Sequence, residues 1–354
     1  MNFDGGTNKH LPMTFRQWCY LPFGRYGEAI VPYRADLALL PAYCLTSSFR
    51  LRDWGWAIMA LAIRKLTNNL GAEIDGIDLT GPLDNAIVAE LRSALDDYSV
   101  LVFREQDFKN QTQIAFSTQF GPLENMLYKR EGDGNQPISN ITNVDRHTDE
   151  IYPTGHSRLT ANTGNELWHT DSSFKPVPAL CSMLSGREVP PIGADTQFAT
   201  CRAAYETLLE AEQLELEGLV AEHNYAWSRS QVPGYVPPAE TLAQVPPVRH
   251  ALVRTNPGNG RKNFYTGAHA SHIIGWPVEK GRKFLKELIA RAAQPEFVYT
   301  HKWRQYDFVI WDNRCVLHRA TAYESEKYRR VMRRTTVAGV GPTIDESVTL
   351  SGVA

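Results

Sequence analysis

Hydrophobic and polar positions follow patterns that predict a mixture of helices and short strands. Asp84 is a suitable helix N-cap, and the spacing of apolar residues after it predicts a helix that runs through Leu95. The continuous apolar run at 99–104 predicts a buried strand. The same criteria predict further helices at 111–120, 200–219 and 278–293, and further strands at 306–311 and 330–337.

Turn-forming residues separate the short strands of the second half. The run Asn256-Pro-Gly-Asn-Gly260 lies between two apolar segments and predicts a hairpin. Residues 130–165 are polar and aperiodic, which predicts a long loop of the kind that covers binding sites. Many short strands with few, dispersed helices favour a mainly β, α+β fold over a parallel doubly wound sheet. We therefore expect an antiparallel sandwich or barrel.

The first 58 residues differ from the rest of the chain. They hold 11 of the 37 aromatic residues, yet they show no helical or strand period. An alternating pattern begins after Met59, so we expect one domain over 59–345, followed by a tail at 346–354. Residues 1–58 are either a docking extension or a segment upstream of a natural start at Met59, and we favour the second interpretation.

Composition narrows the class of protein. The chain is 43% hydrophobic and 21% charged, which excludes a disordered scaffold. Its net charge of -2 gives no overall positive electrostatic potential that would favour binding to nucleic acid or to an anionic membrane. An anionic ligand would therefore be held by local Arg or Lys residues. The apolar run at 54–63 is half the length of a membrane span. Five cysteines without a CxxC pair argue against a disulfide framework or a structural zinc site, and indicate a reducing cytoplasm.

Two His-Thr-Asp tripeptides, at 147–149 and 169–171, are candidate metal ligands. In a strand, His-x-Asp presents an imidazole and a carboxylate on one face, and a distant His would complete a 2-His-1-carboxylate triad for Fe(II). Taken alone, the tripeptide is a weak signal. The first copy lies in a polar stretch that indicates a solvated loop. The second lies between Leu167-Trp168 and Phe174, as expected where a buried strand enters a pocket, so it is the better candidate.

The third ligand is expected from a later strand. Among ten histidines, His318 follows the apolar run that begins at Ile310 and turns at Asp312-Asn313. We therefore expect His318 on the second strand of a buried corner. For His269 and His272 a structural or solvated role is the simpler interpretation.

Eleven residues after His318, the chain carries two pairs of arginines within 328–336. Alternation places Arg329 and Arg333 on one face of a strand and Arg330 and Arg334 on the other. Arginines that face inward require anions, because an unpaired buried charge is costly. A surface strand with solvated arginines explains the same residues equally well.

Four motifs together resemble one family, the Fe(II)/2-oxoglutarate-dependent dioxygenases of the taurine and 2,4-dichlorophenoxyacetate dioxygenase family. They are Asn165-Glu-Leu-Trp-His-Thr-Asp-Ser-Ser-Phe174, Gly193-Ala-Asp-Thr-Gln-Phe198, Trp311-Asp-Asn-Arg-Cys-Val-Leu-His-Arg319 and the strand with Arg329 and Arg333. The resemblance covers roughly 59–339. Residues 190–191, 202–205, 267–272 and 297–299 are similar to the 2,4-dichlorophenoxyacetate dioxygenase branch.

The resemblance implies a double-stranded β-helix, or jelly roll, with flanking helices. It also implies roles for eight residues: His169, Asp171 and His318 as iron ligands, Thr196 and Arg329 as the pair that holds the distal carboxylate of 2-oxoglutarate, and Arg333, Asn165 and Lys129 as substrate-binding residues. Thr196 lies 27 residues after His169, the family's spacing. The same offset from His147 reaches Phe174, which cannot serve.

The implied reaction couples decarboxylation of 2-oxoglutarate by O2, which gives succinate and CO2, to hydroxylation of an anionic substrate. An aryloxyacetate would yield a phenol and glyoxylate. Three alternatives stay open at this point: a sulfonate or another carboxylate as substrate, a jelly roll that only binds ligand, and a zinc hydrolase, which would give Thr196 and Arg329 no task. We also expect a homo-oligomer, with neither nucleic acid nor membrane as partner.

Overall fold

The computed structural model describes residues 61–125 and 137–344. These residues belong to one compact unit, Met59–Ala354. The predictions made for residues 1–58, for Lys129 and for the tail at 346–354 lie outside the described residues. Within the described ranges, no helix is long and apolar enough to cross a membrane.

Helices form where the sequence supplies caps and an apolar face. The Asp84 carboxylate accepts a hydrogen bond from the backbone N–H of Ala86, as an N-cap should. The predicted helix at 200–219 is two helices, because the carboxylate of Glu212 accepts from the backbone N–H of Leu209 and starts a second one. The helices are α1 (Asn85–Tyr98), α2 (Asn110–Thr118), α3 (Ser157–Thr163), α4 (Cys201–Glu206), α5 (Glu210–Leu216), α6 (Tyr225–Ser230), α7 (Ala239–Gln244) and α8 (Val278–Ala292).

Short strands make up most of the remaining regular structure. They are β1 (Ala62–Lys65), β2 (Ala72–Asp75), β3 (Val100–Phe103), β4 (Ser139–Thr142), β5 (Ala179–Glu188), β6 (Thr196–Thr200), β7 (Val220–His223), β8 (Val248–Ala251), β9 (Val253–Thr255), β10 (Lys262–Phe264), β11 (Ala270–Ile273), β12 (Val298–His301), β13 (Phe308–Asp312), β14 (Val316–Ala320) and β15 (Val331–Ala338). Short 3-10 turns lie at Gly164–Glu166 and Pro295–Phe297.

The strands form two principal sheets. Seven strands are ordered β1-β2-β3-β13-β5-β15-β4, and three are ordered β12-β6-β14. All the pairs in these two sheets are antiparallel except β2 with β3. A smaller sheet has the order β11-β7-β8, and β9 pairs with β10 as the predicted hairpin. The mainly antiparallel, mixed helix and strand architecture agrees with the sequence prediction.

Alternation along the strands gives the seven-stranded sheet two apolar faces. Leu101 and Phe103 of β3 pack on one face against α1 and α2, while Val100 and Val102 pack on the other face against Phe198 of the three-stranded sheet. The region between the two sheets is therefore a second core, separate from the core beneath the helices. Polar groups that enter this inner region are shielded from water, and the candidate site lies at its edge.

Candidate functional site

A corner in the chain carries His318 from one principal sheet to the other. Strand β13 belongs to the seven-stranded sheet, the chain turns at Asn313, and β14 pairs with β6 of the three-stranded sheet. His318 exchanges backbone hydrogen bonds with His169, N to O, at 2.7 and 3.1 Å. His169 forms only this isolated bridge, and a turn begins at Asp171, so the second tripeptide is not the strand that the sequence predicts. It nevertheless enters a buried pocket as expected.

The bridge brings two imidazoles and one carboxylate together. The donor atoms of His169, Asp171 and His318 lie within 4.8 Å of one another, and all three residues are buried. Nε2 of His318 is 3.7 Å from Oδ2 of Asp171. His147 is exposed in the 145–150 loop, where its ring contacts Arg146, so the first tripeptide does not contribute. Two imidazoles and one carboxylate on one side of a pocket can hold a metal ion and leave its other positions open.

The electrostatics of the three residues favour their metal-binding protonation states. Burial lowers the pKa of His169, and burial together with the neighbouring His169 ring lowers that of His318. Burial alone would raise the pKa of Asp171, but the guanidinium of Arg334 and the two histidines outweigh it and hold that pKa well below its usual range. Neutral imidazoles and an ionised carboxylate are the forms that bind a divalent metal.

Neighbouring polar groups fix the orientation of the site. The Ser182 hydroxyl donates to Oδ2 of Asp171 at 2.7 Å and accepts from the Asn313 side-chain amide at 2.9 Å. Nδ1 of His169 lies 2.7 Å from the Leu167 carbonyl oxygen, an arrangement that places the proton on Nδ1 and leaves Nε2 for a ligand. Sequence reasoning missed Ser182. The only feature of the sequence that points to Ser182 is that a polar residue interrupts the apolar residues at the start of β5.

A cavity of about 210 Å³ opens beside the three residues. Asn165, predicted as a pocket residue, lines it together with Arg334, whose Nη1 donates to Oδ1 of Asp171 at 2.6 Å. Tyr225 and Arg229 of α6 also line it, and sequence reasoning singled out neither residue.

The structure places Arg329 and Arg333 away from this cavity, contrary to expectation. Both line a second cavity of about 400 Å³. Arg329 forms ion pairs with Glu188 at 2.6 Å and with Asp149 at 2.7 Å, and these carboxylates raise the pKa of its guanidinium. Alternation along β15 explains this placement. Met332 is fully buried between the two sheets, and Arg334 lies on the same face of the strand as Met332. Arg329 and Arg333 therefore lie on the opposite face.

Arg330 and Thr196 are both buried near the inner region. Arg330 is 7% exposed and makes no ion pair in the part of the chain that the structure describes, and burial lowers the pKa of its guanidinium. Thr196 begins β6, directly opposite Ala320 of β14, and its hydroxyl accepts a hydrogen bond from Nε1 of Trp303 at 3.0 Å. A buried cation without a carboxylate is suited to an anionic ligand.

The fold and the triad together define a class: proteins that hold a single metal ion with two histidines and a carboxylate at the edge of two packed sheets. Residues 62–336 match the model of one such family, described as "Taurine catabolism dioxygenase TauD, TfdA family". The chain belongs to this family of dioxygenases.

Individual relatives agree with this membership. The chain is 42% identical to an alpha-ketoglutarate-dependent 2,4-dichlorophenoxyacetate dioxygenase of Cupriavidus pinatubonensis (strain JMP 134), over 79% of this chain and 98% of the relative. It is 33% identical to the (S)-phenoxypropionate/alpha-ketoglutarate-dioxygenase of Sphingobium herbicidovorans, over 79% of this chain and 96% of the relative. Among solved structures, AAD-2 in complex with Mn(II) and N-oxalylglycine is 39% identical with a TM-score of 0.74, and the match covers 81% of this chain and all of that one.

Proposed function

We propose that this protein is an Fe(II)/2-oxoglutarate-dependent dioxygenase that hydroxylates an aryloxyacetate. The observation that carries the proposal is a buried His-Asp-His triad beside a cavity with cationic residues, in a chain 42% identical to a 2,4-dichlorophenoxyacetate dioxygenase. The two facing, mainly antiparallel sheets support a double-stranded β-helix as the fold. Localisation in the cytoplasm and homo-oligomerisation remain predictions.

His169, Asp171 and His318 would hold the iron. Two neutral imidazoles and one ionised carboxylate fit the donor set of Fe(II) sites that keep open positions for substrates. When bound, Fe(II) supplies O2 activation coupled to the oxidative decarboxylation of 2-oxoglutarate to succinate and CO2. Ser182 orients the Asp171 carboxylate through Oδ2, and Arg334 does so through Oδ1.

Arg330 and Thr196 would bind the distal carboxylate of 2-oxoglutarate. Arg330 takes the role that the family resemblance implied for Arg329, because Arg330 is the buried member of the pair and makes no ion pair in the described residues. Its planar guanidinium can bind a carboxylate through two parallel hydrogen bonds. The hydroxyl of Thr196 can donate to the same carboxylate while it accepts from Trp303.

The primary substrate would occupy the 210 Å³ cavity, with its ether CH2 group toward the triad. Hydroxylation of that carbon gives a hemiacetal, whose collapse breaks the bond between the carbon and the ether oxygen. The proton of the new hydroxyl passes to the departing oxygen, and the products are a phenol and glyoxylate. The protein residues contribute position and charge, and they exclude bulk water from the reacting carbon.

The decisive experiment is a substrate panel with purified protein, Fe(II) and 2-oxoglutarate. Aryloxyacetates such as 2,4-dichlorophenoxyacetate should release phenol in equal amount to succinate. A relative that is 31% identical is an alkylsulfatase of Acinetobacter baylyi, so alkyl sulfates and alkylsulfonates belong in the panel. Succinate release driven by a sulfate or sulfonate but by no aryloxyacetate would overturn the substrate assignment. No succinate with any compound would overturn the proposed enzyme activity.

A further inference from the structure

The Thr196 hydroxyl, which would contact the distal carboxylate of 2-oxoglutarate, has one hydrogen-bond partner among the described residues. This partner is the indole of Trp303, whose Nε1 donates to Oγ1 of Thr196 at 3.0 Å. Thr196 is 4% exposed, and its hydroxyl proton finds no acceptor in the part of the chain that the structure describes. A buried hydroxyl that accepts without donating has an unused donor for a ligand.

The chemistry of the indole determines what this hydroxyl can still do. An indole N–H donates and cannot accept, so Trp303 cannot take up the hydroxyl proton of Thr196. A histidine, serine or glutamine side chain in its place could accept that proton and turn the hydroxyl away from a ligand. Thr196 shares a face of β6 with Phe198, which packs between the two principal sheets. The O–H of Thr196 is therefore left to donate to an anion in the inner region.

The indole of Trp303 is confined from more than one side. His301 lies directly opposite Thr196 in the β12–β6 pair, and its ring is nearly perpendicular to the indole, with centroids 4.5 Å apart. Gly186 of β5 leaves room for the indole, since an added Cβ there would lie 3.3 Å from Cε3 of Trp303. Packing thus supports the orientation that the hydrogen bond to Thr196 requires.

Buried polar groups in turn fix His301. Its Nε2 lies 3.1 Å from Oδ2 of Asp307, and because an ionised carboxylate can only accept, Nε2 carries the proton. Its Nδ1 accepts from the Tyr299 hydroxyl at 3.1 Å. His301 and Asp307 are both fully buried, and Asp307 also pairs with Arg104 at 2.5 Å. The support for Trp303 is therefore complete in the folded protein before any co-substrate binds.

We propose that Trp303 is a positioning residue for the co-substrate. Its donor-only N–H sets the Thr196 hydroxyl to donate to the distal carboxylate of 2-oxoglutarate. This contact contributes to the selection of 2-oxoglutarate over 2-oxo acids that lack a distal carboxylate. The inference rests on the proposed function, because it concerns how the co-substrate of that reaction is recognised.

The first test compares two 2-oxo acids that differ only at the distal end. 2-Oxopentanoate has a methyl group where 2-oxoglutarate carries its distal carboxylate, so their metal-binding ends are identical. Calorimetry with Mn(II)-loaded protein should show that Trp303→Phe weakens 2-oxoglutarate binding roughly 3- to 10-fold, as expected for the loss of one hydrogen bond. The affinity for 2-oxopentanoate should stay near that of the wild type.

Trp276→Phe is the matched control for the loss of an indole. Trp276 packs against Phe284 and Lys280 of α8, and its N–H donates no hydrogen bond within the described ranges. This substitution should leave the affinities for both 2-oxo acids unchanged. Gly186→Ala is a second variant, which keeps the indole but crowds it, and it should weaken 2-oxoglutarate binding selectively by a smaller factor. It also provides the test if Trp303→Phe does not fold.

The second test asks whether Trp303 acts through Thr196. Thr196→Val removes the hydroxyl with little change in side-chain shape, and it should itself weaken 2-oxoglutarate binding. If Trp303 acts only by orienting this hydroxyl, Trp303→Phe should have little further effect in the Thr196→Val background. The comparison requires the affinities of the wild type, the two single variants and the double variant.

The outcomes separate this inference from the proposed function. Equal weakening of both 2-oxo acids by Trp303→Phe, or unchanged affinity for both, would overturn the role of Trp303. A full additional effect of Trp303→Phe in the Thr196→Val background would also overturn it. A wild type that releases no succinate from 2-oxoglutarate with any compound of the substrate panel would overturn the proposed function instead.

Discussion

At the scale of single residues, the Asp171 carboxylate shows how the site is prepared before a metal binds. One oxygen accepts from Arg334, and the other accepts from Ser182 and faces His318. The carboxylate is thereby ionised and fixed in one orientation. The free energy needed to order this carboxylate is therefore supplied when the protein folds, and metal binding does not have to supply it.

Ser182→Ala should therefore weaken Fe(II) binding by roughly 10-fold or more, as expected for loss of a group that orients a metal ligand. The measurement is an anaerobic Fe(II) titration of the purified protein. Ser185→Ala is the control on the same strand, because the Ser185 hydroxyl donates to Gln113 on the helix side. Equal weakening by both substitutions would contradict this role for Ser182.

The two neighbouring arginines give a second prediction at this scale. Arg330→Gln should raise the KM for 2-oxoglutarate roughly 10- to 100-fold, since a buried charge-assisted contact is lost. Arg329→Gln should leave this KM near the wild-type value, because its partners are Glu188 and Asp149. Succinate release at varied 2-oxoglutarate measures both. The reverse ranking would restore the assignment made from the sequence.

At the scale of elements, β15 shows what sequence pattern can and cannot establish. The pattern predicts the strand and its two faces, but Val331 and Met332 are both apolar, so it does not indicate which face is inward. The answer comes from Met332, which is fully buried between the sheets. By contrast, α1, α8 and the β9–β10 hairpin carry their own caps, apolar stripes or turn residues, and their positions were predicted within a few residues.

The close approach of Gly267 to the triad gives a prediction for an element boundary. Gly267 precedes β11 with φ +139°, and a Cβ there would lie 3.2 Å from Cα of His169 and 3.1 Å from Leu317. Gly267→Ala should lower the free energy of unfolding by about 1–3 kcal/mol from backbone strain, and the crowding should also weaken metal binding.

Urea denaturation and Fe(II) titration would measure the two effects of Gly267→Ala. Gly275→Ala is the control, because Gly275 also has a positive φ, +81°, but nothing lies within 4 Å of its added Cβ. If Gly267→Ala kept full metal affinity, the close contact between residue 267 and the backbone of His169 would not affect the position of this metal ligand.

At the scale of the whole molecule, the site joins segments that are far apart in sequence. His318 was predicted because motif order and apolar context distinguish it from the other histidines. Ser182 could not be predicted, since its role depends on a contact with Asp171 that is made only after β5 has packed. The sequence therefore predicts the metal ligands, while the residues that orient them and line the cavity require the fold.

The stability of the whole molecule should depend on pH through a buried histidine pair. His250 and His223 of the β11-β7-β8 sheet are fully buried, with ring centroids 4.9 Å apart, and they face Tyr265. Burial is the main cause that lowers the pKa of His250 to about 4, and the nearby Arg254 adds to it, while hydrogen bonding to the Ser173 carbonyl opposes it. Burial also lowers the pKa of His223.

The sign of the effect follows from this lowered pKa. An unfolded chain protonates His250 near its ordinary pKa of 6.5, whereas the folded protein keeps it neutral down to about 4. Unfolding therefore takes up a proton between these values, so stability is fully present above pH 6.5 and falls as the pH drops toward 4. Between pH 7.5 and 5, His250 alone should remove about 2 kcal/mol from the free energy of unfolding.

Urea denaturation of the wild type and of His250→Gln at pH 7.5 and 5 tests this directly. Gln cannot titrate but can still hydrogen-bond to the Ser173 carbonyl and the Thr343 hydroxyl, the two partners of the His250 ring. The variant should be less stable at pH 7.5, and because carboxylates titrate alike in both proteins, its deficit should shrink by about 2 kcal/mol at pH 5. A deficit that stayed constant between the two pH values would mean that His250 titrates normally in the folded protein.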